Sequence, residues 1–230
     1  MRHVLAGVLI ALLVCSLLWA ALPFTDAFTN TNGTVLTTHN ASWTMNTGTA
    51  GIYNNYLVSR TAGEAFIARV NSETFADDQY AQCTIAATPV NNYNMGPAVR
   101  VSTSGAQTLY FTDFDDDQLR VRKTVAGSST TLTTPVTRTQ AVGETLKITV
   151  SGTQLRVYVD NVEIGGLAVT DASISSGAAG MRGFNYAGSD GLGQNGCDSF
   201  EAGDYSAGGS SAPIRRRPIM MFFTLPELSK

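Results

Sequence analysis

The stretch Glu144–Ile164, ETLKITVSGTQLRVYVDNVEI, decides the fold. Leu146, Ile148 and Val150 alternate with Lys147, Thr149 and Ser151. After Gly152 the alternation resumes at Leu155, Val157 and Val159, and Asp160-Asn161 leads into Val162 and Ile164. Alternation at period two puts the aliphatic side chains on one face of a strand and the polar ones on the other. Gly152 and the Asp-Asn pair are residue types that tolerate the positive φ of tight reversals. The stretch therefore reads as a three-stranded antiparallel meander with one buried and one wetted face. Its aliphatic face is expected to meet a second sheet that includes Ala81, Cys83 and Ile85.

Outward from the meander the same signal recurs. Gln79–Ala87 alternates cleanly, short strands are expected over 52–59, 64–70, 96–102, 107–112, 178–186 and 197–202, and 128–134 is a Thr-rich strand or loop. Trp43 is the first large core anchor, Tyr93 sits exposed in a polar loop, and Asp113–Asp117 forms a solvated acidic turn. No helix-period stretch of useful length lies between Phe28 and Tyr205. About a dozen short strands with frequent turn residues predict an all-β sandwich or barrel.

The termini differ from this body. Arg2 and His3 precede an uncharged apolar run from Val4 to Leu22, the pattern of an export signal that is also almost long enough to span a bilayer as a helix. Residues 1–22 are read as a signal peptide or a membrane anchor, placing residues 23–205 outside the cell or at its surface. Residues 206–230 comprise a Gly/Ser linker, the cluster Arg215-Arg216-Arg217 and a short run rich in Met and Phe. That run is too short to cross a membrane; it suits self-association or membrane-surface contact, or is a frayed end. Beyond the leader two cysteines remain, Cys83 and Cys197. An oxidising setting allows a disulfide between them, while the phase of Cys83 with Ala81 and Ile85 equally suits a buried free thiol. Only 14% of the 230 residues are charged and the net charge is −3, so nothing basic invites nucleic acid.

Several pieces in order resemble a concanavalin A-like (laminin-G-like) jelly roll of the bacterial or phage surface-protein type. They are Phe24-Thr25-Asp26-Ala27-Phe28, Trp43, Asp78–Gln82, Gly96–Arg100, the meander, Gly177–Met181 and Asp198-Ser199-Phe200. The resemblance implies a two-sheet antiparallel sandwich over residues 23–205, in a fold that hosts lectins, glucanases and structural virion domains. It also implies one structural calcium, held partly by Asp198 with Asp26 approaching it. Tyr93, Arg100, Tyr110, Asn185 and Tyr186 would lie towards the concave side and form a carbohydrate site, since sugars need ring faces and a few polar groups.

The chemistries can be tested one by one. The glucanases of this fold use a Glu-x-Asp-x-x-Glu strand, because retaining hydrolysis needs two carboxylates about 5 Å apart; the chain has no such spacing. His39 stands in a polar turn, as a solvated histidine rather than a general base. Asp113, Asp115 and Asp117 alternate like calcium-loop ligands, but Gln118 stands where such loops need glycine. Gly191–Gly196 matches G-x-G-x-x-G without a following helix and is a flexible loop. The reading is a non-catalytic, exported surface domain that binds carbohydrate or another extracellular polymer. The alternatives are a structural or adhesive subunit of an envelope, appendage or virion and, third, a diverged glycoside hydrolase.

Overall fold

A computed structural model describes residues 23–87, 93–115, 117–185 and 195–206. These form β1 (Phe24–Asp26), the four-residue helix α1 (Leu36–His39), β2 (Trp43–Thr47), β3 (Ala50–Tyr53), β4 (Tyr56–Ser59), β5 (Ala65–Val70) and β6 (Gln79–Ala87). There follow β7 (Tyr93–Val101), β8 (Leu109–Phe114), β9 (Gln118–Val125), β10 (Ser128–Thr131), β11 (Val136–Thr137) and β12 (Thr145–Ser151). The last are β13 (Gln154–Val159), β14 (Val162–Glu163), β15 (Val169–Thr170), β16 (Ala178–Asn185) and β17 (Gly196–Asp204). The expected leader, the apolar tail, residues 191–194 of the glycine-rich loop, Tyr186 and the side chain of Tyr93 lie outside the described residues.

The strands make two antiparallel sheets. One runs β14-β13-β12-β6-β17-β4-β3, with β1 beside β17 and β15 beside β13. The other runs β10-β9-β8-β7-β16-β5-β2, with β11 beside β9. The meander forms as its pattern dictates. Ile148 pairs with Val157 and Val150 with Leu155, and Gly152, Asp160 and Asn161 turn the chain at φ 55°, 49° and 64°. Its third strand is only two residues long. Ala81 and Cys83 lie beside the meander, not across from it: Leu146 registers with Cys83 and Ile148 with Ala81 in the same sheet. The facing layer is instead built from Phe66, Ala68, Met95, Val99, Tyr110, Phe114, Leu119, Val121 and Met181, all fully or almost fully buried.

Two further expectations change. The stretch 52–59 is not one strand: Asn54 and Asn55, at φ 49° and 61°, fold it into the β3–β4 hairpin. Asp113 does not belong to a solvated turn; it closes the outward face of β8 and is fully buried.

Cys83 and Cys197 form a disulfide, with Cα atoms 5.7 Å apart, within the range a bridge spans without backbone movement. It joins the neighbouring strands β6 and β17 across 114 residues of chain. Closing so long a loop stabilises the fold chiefly by restricting the unfolded chain, by about 5 kcal/mol on the chain-entropy relation.

Candidate functional site

The alternation of β8 and β9 builds a polar cluster on the outer face of the eight-stranded sheet. In β8, Tyr110 and Phe114 enter the core, so Leu109, Phe111 and Asp113 face outward. In β9, Leu119 and Val121 enter the core, so Arg120 and Arg122 face outward. Register sets Phe111 against Arg122 and Asp113 against Arg120. From β16, Arg182 joins the same face.

At the centre stands the Asp113 carboxylate, with none of its side chain exposed. Oδ1 accepts from Arg120 Nε at 2.8 Å; Oδ2 lies 3.3 Å from Arg122 Nη1 and 3.6 Å from Arg182 Nη1. Arg120 Nη2 also donates to Asp115 Oδ2 at 2.7 Å. Burial pushes the Asp115 carboxyl up, and the repulsion of Asp113 adds to this against the pull of Arg120. Arg182 donates to Asn94 Oδ1. Phe111, fully buried, supports the cluster from beneath: its ring centroid lies 4.6 Å from the Arg182 guanidinium carbon and 5.5 Å from that of Arg122. Cation–π contact of this kind holds the guanidinium planes in place. Gly96 makes room beside the cluster, because a Cβ there would come 1.9 Å from the Thr112 carbonyl oxygen.

Part of this outer face is covered. The Ser102–Thr108 turn crosses over β16 and β5 to β2, where Asn46 Nδ2 donates to the carbonyls of Ser102 and Ala106 at 2.8 and 3.0 Å. Beneath it Ile67, Ala98, Val101, Leu109 and Phe111 form a second, smaller apolar core. A separate groove of about 530 Å³ opens at that end, between the Glu73–Asp77 segment, Ser102–Thr108 and Ser173–Ala178. It is lined mostly by hydroxyls, and its one ring, Phe75, packs back against the core.

The residues expected to bind sugar are placed differently. Arg100, at φ 50°, is buried. It donates to the carbonyls of Asp77, Ile174 and Gly152 at 2.9, 2.8 and 2.7 Å. It is the tie that fixes three loops around the end groove. Tyr110 is fully buried; its hydroxyl donates to Asp171 Oδ1 at 2.6 Å and accepts from Ile174 N at 3.0 Å. Asn185 is fully buried at the end of β16, its carbonyl accepting from Gly63 N. All three are buried. Tyr93 contributes backbone to β7 opposite Asn185.

The expected calcium pair does not fit the ion. Asp26 is buried, and its Oδ1 accepts from Phe28 N and His39 Nε2, both at 2.8 Å. Its Oδ2 accepts from Asn40 Nδ2 at 3.0 Å and Trp43 Nε1 at 2.8 Å. A carboxylate has about four lone-pair positions, and here all are taken. Asp198 is half-buried and caps Ser199 N. No group of three or more His, Cys, Asp or Glu side chains gathers to hold a metal among the described residues. Asp26 is instead a structural hub, and His39 is one of its donors rather than a solvated histidine. The hub sits under Trp43, whose ring meets Phe24, Phe28 and Phe200 at 5.6, 6.0 and 5.0 Å.

The hub carries a pH dependence. Burial pushes Asp26 up, but the hydrogen bonds from His39, Trp43 and Phe28 outweigh it and hold the carboxyl below its usual range. A carboxyl whose folded pKa lies below its unfolded value, about 3.9, stabilises the fold above that value and loses this contribution as pH falls through the folded one. The melting temperature is therefore expected to drop below about pH 4, more steeply than in Asp26→Asn. Parallel slopes in thermal melts from pH 7 to 2.5 would remove Asp26 from that role.

Two antiparallel sheets with this strand order define a concanavalin A-like jelly roll, the fold shared by lectins, glucanases and carbohydrate-binding modules. No family model and no curated protein matches the chain by sequence. Among solved structures it is similar to the carbohydrate-binding module CBM66 from Bacillus subtilis, at 17% identity and a TM-score of 0.53, over 70% of this chain and 91% of that one. A β-1,3-1,4-glucanase (lichenase) from a mouse hindgut metagenome matches at 10% identity and 0.52, over 79% and 98%. The exoplasmic/lumenal domain of VIP36, in a Ca2+/Man3GlcNAc-bound form, matches at 12% and 0.51, over 74% and 86%.

The arginine cluster is not among the residues expected from sequence, where tyrosines carry the stronger sugar-binding signal. Its own signal is the out-of-phase pattern Leu119-Arg120-Val121-Arg122, which puts two arginines on one strand face opposite Asp113.

Proposed function

We propose that this chain is an exported, non-catalytic carbohydrate-binding domain that takes its ligand on the outer face of the eight-stranded sheet, at Arg120, Arg122 and Asp115. The observation that carries this reading is the preorganised set of planar guanidinium and carboxylate groups around Asp113. Planar forks of this kind match paired oxygen atoms two at a time, and partial burial strengthens each hydrogen bond. The fold it shares with a carbohydrate-binding module and a glycan-bound lectin supports the same reading. The Cys83–Cys197 disulfide supports an oxidising, exported setting.

Among the described residues Asp113 and Asp115 are the acids of this cluster, and Arg120 ties both. Retaining hydrolysis needs one carboxylate free to attack and a second that keeps its proton. Asp113 has both oxygens turned to guanidiniums, which favours binding over turnover. The purified chain is expected to bind at least one polysaccharide class on a broad glycan array and to release no shorter products from it on prolonged incubation. Silence across the array would overturn the binding role, and product release would overturn the non-catalytic one.

A further inference from the structure

Resting on the carbohydrate role but not on the outer-face site, we infer that the groove at the end of the sandwich is a second binding site, for an uncharged glycan. The groove lies between three loops: residues 71–78 between β5 and β6, 102–108 between β7 and β8, and 171–177 between β15 and β16. Its volume of about 530 Å³ falls in the range of small-molecule sites, about 300–1,000 Å³. That is room for a short run of sugar rings.

Binding residues often sit on loops that a rigid scaffold positions, and these loops are braced from within by two buried polar side chains. The Arg100 guanidinium holds the carbonyls of Asp77 and Ile174, one from each of two groove walls. Gln79, wholly buried, donates to the carbonyls of Ala76 and Gly177 at 2.8 and 3.0 Å and accepts from Arg100 N at 3.1 Å. The first and third loops are thus tied to each other twice. Arg100 pays a conformational penalty for this, at φ 50°. Such strain in a non-glycine residue persists where the surroundings over-determine it, and it gathers at ligand clamps.

The chemistry of the groove selects the ligand. Ser102 and Ser104 bond to each other, and Ser173 bonds to Asp171 and Lys123. Glu73, Thr74, Asp77, Thr103, Ser175 and Ser176 are exposed, and their side chains bond to no other described residue. Hydroxyl donors and carboxylate acceptors therefore both stand open to solvent. A sugar hydroxyl, itself a donor and an acceptor, needs both kinds of partner. Phe75, Ile174 and Ala178 add an apolar patch to the lining, suited to the C–H face of a sugar ring. An anionic polymer would meet Glu73 and Asp77, with no Lys, Arg or His among the described lining residues to match it.

The test is backbone-amide NMR on the full chain. The uncharged probes are oligosaccharides from laminarin, mannan, xylan and levan, and the cationic ones are chitosan oligomers. At least one uncharged probe is expected to shift the amides of Asp77, Thr103, Ser175 and Ser176, with an affinity that salt leaves unchanged. Asp77→Asn keeps the backbone carbonyl that Arg100 holds, and Ser175→Tyr fills the groove. Each is expected to lose about tenfold in affinity, the worth of one charge-assisted hydrogen bond, at the parent's melting temperature. Shifts confined to Arg120 and Arg122 would overturn the groove site and leave the outer-face site standing. Shifts confined to the groove would support the inference and move the carbohydrate role off the outer face. Groove variants that bind as the parent does would overturn the inference. So would binding of the chitosan oligomers alone, lost as salt rises, since bulk charge would then suffice. No shift with any probe would overturn it as well, and silence on the broad array besides would take the carbohydrate role with it.

Discussion

Replacing Val157 by aspartate is expected to leave the chain unfolded, with no cooperative thermal transition and recovery only as aggregate. Val157 is fully buried at the centre of the meander, registered with Ile148 and facing the opposite sheet. An ionised carboxylate there has no partner, and even the protonated form loses its water without regaining a hydrogen bond, a cost of several kcal/mol. The transfer energy of the lost valine adds about 1.5–3 kcal/mol, against a total stability of about 5–15 kcal/mol for an ordinary domain. The same substitution at Gln154, exposed on the same strand, should be tolerated. Circular dichroism melts of the two variants settle the matter. A soluble, cooperatively folded Val157→Asp protein would mean that the faces of the meander have been assigned the wrong way round.

Asp113→Ala is the second large effect, and it comes from electrostatics rather than packing. The wild-type carboxylate balances three guanidiniums on a face where its own side chain is wholly covered. Without it Asp115 remains the cluster's one carboxylate among the described residues, and Arg122 loses its ionic partner. Breaking a buried pair by removing one member costs about 3–5 kcal/mol, because the charge left behind is no longer compensated. About 4 kcal/mol is expected from urea denaturation. Glu163→Gln, which breaks the exposed Arg156–Glu163 pair, should leave the urea midpoint unchanged, as surface pairs contribute little. A midpoint for Asp113→Ala as high as the parent's would show that the cluster relaxes into solvent and is not the rigid array the binding role requires.

The two experiments bear on different levels of the molecule. Val157 belongs to a pattern that repeats along the chain, and its burial could be read from alternation alone. Asp113 belongs to a run of acids that, taken by itself, looks like a wet turn. What buries Asp113 is the arrival of Arg120 and Arg122 on the next strand and of Arg182 from a strand distant in sequence. The same contrast separates Trp43, legible as an anchor from its size, from Asp26, whose four hydrogen bonds come from Phe28, His39, Asn40 and Trp43. Arg100 and Tyr110 show why a tyrosine and an arginine on strands are poor guides to a ligand. Both are amphipathic enough to be used inside, as ties between loops.

By itself the sequence determined the all-β class, the meander with its three left-handed turn residues, and the alternating faces of the meander and of β6. These follow from local rules, the period-two pleat and the φ preferences of Gly, Asn and Asp, which act between neighbours. It left the two cysteines open between a bridge and a free thiol. Tertiary structure alone decided that they pair, that β6 lies beside the meander rather than across from it, and that the arginines meet around Asp113. Sheet order and cross-strand register join residues far apart in the chain, and alternation specifies which way a side chain points without specifying what it will meet.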